Sequence, residues 1–341
     1  MNDMKKNKTM KKPINLGLSI LRMVLAFLVV IVHLKVDNRK LMKIIYKKNF
    51  HVPTFMIMSF YFFSNNLFSR NINNMKTRFI RLLIPYIIWP LIKIFFIKIL
   101  FVSKKIVKLY IIKKILLQII FGREIHAVFW YLHNLIIITI LFEIISFLFK
   151  KHLFLAYLYF SIIAYLLQYT EINYYYLVKY KANIAYSLGH ISEMIPIALS
   201  GITLGKLKII EKLKNFKYNS ILICILILYI ILIKDIFIKP KGFQYQGINL
   251  NVEAIVFFIL FANIPIKTNN KRIKYILINL TNYTGGIYYL HTFVNTILQN
   301  KLSLFKKKTL LRIILNYWIC YIICFLGIKL FNKYKLKYLF Y

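Results

Sequence analysis

Two ionisable side chains, Arg22 and His33, lie inside the apolar run 16–34. A guanidinium is a fixed positive charge that holds anionic groups, whereas an imidazole titrates near neutrality and can accept a proton. Their spacing is about three helical turns, so the two side chains share one face, about 16 Å apart along the axis. This pattern favours anion binding at one end and proton transfer at the other. The alternative is structural, with an arginine that reaches the interface and a histidine bonded to a neighbouring helix.

The run that carries this pair is long enough to cross a bilayer, since nineteen residues at about 1.5 Å each span roughly 28 Å. Composition extends the argument to the whole chain of 341 residues, of which 60% are hydrophobic and 17% aromatic. These values exclude an ordinary water-soluble domain. We therefore expect an all-α, polytopic integral membrane protein.

The formal net charge is +40, with 49 lysines and arginines spread through the polar gaps of the chain. This distribution indicates contact with anionic membrane lipids and not with nucleic acid, because no soluble basic domain is present. The three cysteines lie within apolar runs, where a thiol behaves as a small hydrophobic group. They predict neither a disulfide framework nor a zinc site, and we expect no metal.

The apolar runs divide the chain into one predicted membrane domain, 16–331, between a basic N-terminus, 1–15, and a short tail, 332–341. The N-terminal lysines favour a cytoplasmic N-terminus in the cell membrane, although basic residues in the later loops do not decide the orientation. One further gap, 104–120, alternates lysines with isoleucine and leucine, which is typical of a helix in the headgroup region. The ten predicted spans are 16–34, 52–68, 82–101, 128–149, 153–169, 190–207, 219–238, 250–266, 284–300 and 310–331.

A second basic pair, Arg78 and Arg81, lies just before the apolar run that begins at Leu82. Positions i and i+3 at the start of a helix point the same way, so the two guanidiniums can hold a phosphate or pyrophosphate with several donors. The alternative is an ordinary basic loop that obeys the positive-inside rule.

Other polar and aromatic residues fall inside later runs. Glu143 is an intramembrane carboxylate that needs a cation or a donor, and Arg22 or a histidine can supply it. Glu193, three residues after His190, is a second carboxylate in a predicted span and needs a cation or a donor as well. Trp130 stands where an interface anchor is expected, whereas His291 follows two glycines that permit close helix packing.

Four short motifs occur in a fixed order along the chain. They are Arg22 and His33 with ten residues between them; Arg78 and Arg81 running into Pro85, Tyr86 and Trp89; Phe129 to Leu132 with Asn134 and Leu135; and Tyr288 with His291. Together they resemble the landmarks of the integral membrane acyltransferase-3 family, which O-acylates cell-surface glycans and related acceptors. The resemblance covers 16–331. The chain departs from it at Phe60, where a glycine is frequent.

The resemblance implies an O-acetyltransferase whose donor is acyl-CoA, with acetyl-CoA as the default, and whose acceptor is a hydroxyl of a surface polysaccharide or its lipid-linked precursor. It implies that Arg78 and Arg81 bind the donor phosphates together with Arg22, and that His33 is the general base or an acyl relay. From its place in the membrane, we expect Glu143 to orient or charge-balance His33. Trp130, Asn134, Tyr288 and His291 are candidates for substrate binding or structure.

A transporter is the alternative to this enzyme, either a flippase for lipid-linked glycans or a proton-coupled carrier. In a carrier, His33, Arg22 and Glu143 would form an ion-coupled relay. Carriers usually show two repeated halves with interrupted helices, and the sequence shows no such symmetry. An arginine pair aimed at a phosphorylated donor also favours the enzyme.

Overall fold

The computed structural model describes residues 15–34, 50–69, 72–100, 117, 119–122, 127–149, 152–169, 183–213, 218, 221–228, 248–264, 270–301 and 309–340. Throughout these ranges the regular structure is helical. The α-helices are α1 (Leu16–Leu34), α2 (His51–Ser69), α3 (Ile72–Leu100), α4 (Trp130–Leu148), α5 (Leu153–Tyr169), α6 (Asn183–Lys206), α7 (Ile209–Leu213), α8 (Ile248–Asn263), α9 (Lys271–Asn282), α10 (Thr284–Lys301) and α11 (Leu310–Phe331). Two 3₁₀ turns are also present, Ala127–Phe129 and Lys335–Leu339. The described residues 221–228 are helical as well.

Most of the helices follow the apolar runs, because a chain in lipid must satisfy its backbone hydrogen bonds internally. Helix α9 instead lies between two predicted runs, and α6 begins before its run, at Asn183. The all-α prediction is confirmed for the described residues. Three helices, α1, α4 and α11, are both long and apolar enough to cross a membrane, and shorter apolar helices lie at Leu153–Ala164 and Leu250–Asn263. The count of ten spans stays a prediction. Of the run 219–238 only 221–228 is described, and most of 104–120 lies outside the described residues.

Helix α3 begins earlier than the apolar run predicted, at Ile72, and it extends for 29 residues. It therefore includes Arg78 and Arg81 as helical residues. Pro85 and Pro90 lie inside it. Each proline removes one backbone donor from the helix, so the hydrogen bonding of α3 is interrupted at two positions after the arginines.

Close helix contacts are made at glycines. A Cβ atom at Gly201 of α6 would meet the backbone of Ile57 in α2, and one at Gly205 would meet Ser64. Gly17 at the start of α1 contacts the carbonyl oxygen of Phe261 in α8 in the same way. These contacts set α2 against α6 and α1 against α8, because only glycine leaves room for the neighbouring backbone.

The C-terminal residues fold back onto the helices. The Trp89 Nε1 atom donates to the Leu339 carbonyl oxygen at 3.1 Å, and the Phe340 ring stacks on Phe331 at 6.0 Å. A Cβ atom at Gly286 would lie 2.6 Å from the Phe340 oxygen, so this glycine of α10 makes room for the tail. The segment after α11 thus closes one end of the bundle beside α3 and α10.

Candidate active site

The face of α1 that carries Arg22 and His33 lies against α10. The Arg22 guanidinium is within electrostatic range of the Tyr289 phenol, and the His33 ring lies 5.2 Å from the His291 ring. Arg22 is half-buried and His33 is exposed. The predicted common face of Arg22 and His33 therefore lies against a neighbouring helix, with the imidazole at the accessible end.

His291 is fully buried, and its Nδ1 atom lies 2.8 Å from the Tyr288 carbonyl oxygen. A carbonyl only accepts hydrogen bonds, so Nδ1 carries the proton and Nε2 of the neutral ring is an acceptor. That Nε2 atom is buried and has no hydrogen-bond partner within the described residues. His291 therefore brings an unsatisfied acceptor close to His33.

A third imidazole, His51, lies buried at the start of α2 within electrostatic range of His33. Sequence reasoning missed it, because it lies just outside the predicted apolar run 52–68. Three helices thus bring imidazoles to this end of the bundle. Among the residues that the structure describes, no group of three or more histidine, cysteine or acidic side chains is arranged to hold a metal ion.

Arg312 holds the end of α1 beside His33. Its side chain is 1% exposed, and its Nη2 atom donates to the carbonyl oxygen of Leu34, the last residue of α1. The last carbonyls of a helix have no partner within it and carry partial negative charge, which a guanidinium satisfies. Sequence reasoning missed Arg312. The sequence signal that could have found it is an arginine in the first turn of an apolar run. That turn follows Thr309, which caps α11.

The two arginines of α3 have different surroundings. Arg78 donates from Nη2 to the Ser59 hydroxyl at 3.1 Å and from Nε to the Thr139 hydroxyl at 3.3 Å. Its guanidinium carbon lies 4.3 Å from the centroid of the Phe63 ring, within cation–π range. Arg81 is exposed and lies over the Tyr338 ring at 5.3 Å. The binding of one phosphate group by both Arg78 and Arg81 stays a prediction.

Tyr131 connects the two arginine positions. Its phenol is within electrostatic range of both Arg22 on α1 and Arg78 on α3. Its ring also lies 5.8 Å from the Tyr288 ring of α10. In the sequence, this tyrosine belongs to the motif Phe129 to Leu132. The structure places it between the half-buried guanidiniums and the helix that carries His291.

Glu143 lies beside Arg78 and Tyr157, within electrostatic range of both. It is half-buried, and its Oε1 atom is buried without a hydrogen-bond partner in the described part of the chain. The structure therefore places the carboxylate next to Arg78. Its predicted role toward His33 stays a prediction.

The remaining candidates lie on α4 and α10. The Trp130 ring lies 4.8 Å from the His190 ring, and His190 Nδ1 lies 3.0 Å from the Glu193 carboxylate. The Tyr288 hydroxyl donates to the Val128 carbonyl oxygen, which ties α10 to the turn before α4. Asn134 is buried at 1% exposure. Trp130 therefore covers a buried imidazole–carboxylate pair, and Tyr288 positions a helix.

Phe60, the departure from the family pattern, is fully buried. Its ring packs against Phe142 at 5.3 Å, and the Arg78 guanidinium lies over it at 5.1 Å. The larger side chain thus contributes an aromatic surface beneath the arginine of α3.

The fold and the site define a helical membrane protein that brings arginines and imidazoles from several helices together. The comparison with protein families makes the class specific. A family model described as an acyltransferase domain, acyltransferase-3, matches residues 15–331, and the chain belongs to that family. It is therefore a membrane acyltransferase. No match to the chain was found among curated proteins or solved structures.

Proposed function

We propose that this protein is a membrane O-acyltransferase that moves an acyl group, by default acetyl, from cytoplasmic acyl-CoA to a hydroxyl of a surface polysaccharide or its lipid-linked precursor. Membership of the acyltransferase-3 family supports acyl transfer. The observation that carries the site assignment is the contact between α1 and α10, where the ring centroids of His33 and His291 lie 5.2 Å apart.

The donor end of the site is cationic. Acyl-CoA carries several phosphate charges, and planar guanidiniums bind phosphate oxygens with paired donors. Arg78 and Arg22 both lie near Tyr131, so an elongated donor along α4 meets both charges. Arg81, exposed at the bundle surface, supplies a further charge where the donor enters. With the N-terminus in the cytoplasm, donor entry falls on the cytoplasmic side.

The acceptor end is basic and accessible. His33 takes the proton of the acceptor hydroxyl while that oxygen attacks the thioester carbonyl. The new C–O bond forms, the C–S bond breaks, and His33 passes the proton to the departing CoA sulfur. Because His33 is exposed, an acceptor hydroxyl can approach its ring.

The in-cell test replaces His33 and measures the modified glycan. His33→Ala should remove the O-acetyl signals from the NMR spectrum of the host's surface polysaccharide, while the protein still accumulates in the membrane. The matched control is His152→Ala, since His152 is an exposed histidine outside the helices. It should leave the O-acetyl signals intact. Unchanged O-acetyl signals in cells that carry only His33→Ala would remove His33 from the mechanism.

A further inference from the structure

We propose that His291 is the positioning residue for His33: its Nε2 atom accepts a hydrogen bond from the His33 ring and so fixes which His33 nitrogen acts as the base. This inference rests on the proposed function of His33. It assigns to a fully buried residue on α10 a role in proton transfer that goes beyond helix packing.

The first support is the fixed tautomer of His291. Its Nδ1 atom lies 2.8 Å from the Tyr288 oxygen and 3.2 Å from the Ile287 oxygen, both carbonyls of its own helix. The Nδ1 proton is committed to these oxygens, so Nε2 can only accept while the ring is neutral. A buried acceptor without a partner is destabilising, and a donor from His33 would satisfy it.

The second support is the position of His33. Its ring lies 5.2 Å from the His291 ring, with the two planes at 44°. His33 is exposed, so its side chain has room to rotate toward Nε2. The backbone on both sides is held in place. The Asn316 amide donates to the His291 carbonyl oxygen at 3.1 Å, and Arg312 binds the carbonyl oxygen of Leu34.

The titratable groups around the pair come from several helices. His51 of α2 is within electrostatic range of His33, and Tyr288 of α10 lies 6.1 Å from the His291 ring. Tyr131 of α4 packs on the other side of Tyr288. None of these carries a negative charge near neutrality. Among the described residues of this group, His291 Nε2 is the acceptor that is buried without a hydrogen-bond partner.

The arrangement has a chemical consequence for His33. One ring nitrogen donates to His291, and the other keeps a lone pair that takes the acceptor hydroxyl proton. The imidazolium that forms on His33 strengthens the hydrogen bond to Nε2. Protonation of His291 turns Nε2 from an acceptor into a donor and abolishes the interaction. Activity thus requires both imidazoles to be neutral.

The test is the pH profile of acyl transfer by the purified full-length protein, with acetyl-CoA and de-O-acetylated host polysaccharide. Wild type should lose activity on acidification as His33 takes up a proton, because the hydrogen bond to Nε2 stabilises its imidazolium. His291→Asn, whose shorter amide still donates to Tyr288 but lacks the Nε2 acceptor, should lower the rate at pH 8 about 100-fold, the cost of a misplaced group, and move the acid limb to lower pH. Acetyl-CoA binding should be retained.

His133→Gln is the matched control, since His133 is also buried on a membrane helix and bonds the Ile120 carbonyl oxygen at 2.9 Å. It should leave the acid limb at the wild-type pH. A His291→Asn enzyme whose limb lies at the wild-type pH would overturn the proposal. If this variant fails to fold, His291→Leu tests it, because leucine suits a buried site on a membrane helix and lacks the acceptor. Misfolding of both variants would assign His291 to structure alone and also overturn it. Activity that survives His33→Ala would instead refute the proposed function.

Discussion

At the scale of single residues, the carboxylate of Glu143 is the most informative side chain, because two roles for it make opposite predictions. It lies beside Arg78, whose guanidinium also donates to the hydroxyls of Ser59 and Thr139. If Arg78 binds donor phosphates, the nearby carboxylate opposes the negative charge of the donor. If Glu143 orients His33, its removal affects proton transfer.

We expect Glu143→Gln to tighten acetyl-CoA binding by about three- to tenfold, about 1 kcal/mol, since the substitution removes a negative charge close to Arg78. Isothermal titration calorimetry on purified protein measures the change. Glu143→Asp, which keeps the charge, is the control and should bind acetyl-CoA more weakly than the glutamine variant. Weaker binding by Glu143→Gln than by wild type would argue against phosphate binding at Arg78.

At the scale of helices, the end of α1 is held by α11. Arg312 donates to the Leu34 oxygen one residue after His33, so the position of the imidazole depends on a helix far along the chain. A hydrogen bond from a charged group contributes about 1.5–3 kcal/mol, and a base displaced by about 1 Å loses about 100-fold in rate.

Arg312→Met should therefore lower both the free energy of unfolding, by about 1.5–3 kcal/mol, and the rate of transfer, by about 100-fold, while acetyl-CoA binding changes little. Thermal unfolding and single-turnover transfer on the same preparation separate the two effects. Lys329→Met, at an exposed site in the last turn of α11, is the control and should leave both unchanged. A fully active Arg312→Met protein would show that α11 does not position His33.

Sequence patterns predicted most of the helices and the shared face of the α1 pair, because apolar length and helical periodicity are local properties. Helix α9 was missed, since it is a polar amphipathic helix between two predicted spans. The neighbours of that face are not local. Tyr131, His51 and Arg312 reach the site from three other helices, and nothing in a single sequence states which helices meet. The early start of α3 was also missed, since Arg78 and Arg81 interrupt the apolar run although the helix continues through them.

At the scale of the whole molecule, the account divides the work between two ends of one bundle. In the proposed function, Arg22 and Arg78 around Tyr131 hold the donor, and His33 and His291 transfer the proton. The transporter alternative makes no such division, because its residues would act together on one ion. Separate loss of donor binding and of acyl transfer would therefore distinguish the two.

The most direct measurement compares acetyl-CoA binding with acceptor-dependent release of CoA in single turnover for His33→Ala and Arg22→Gln. The account predicts that His33→Ala binds acetyl-CoA like wild type but releases no CoA when polysaccharide is added. It predicts that Arg22→Gln binds acetyl-CoA about 10- to 100-fold more weakly, the loss of one charge-assisted phosphate contact. Release of CoA by His33→Ala at the wild-type rate would contradict the account.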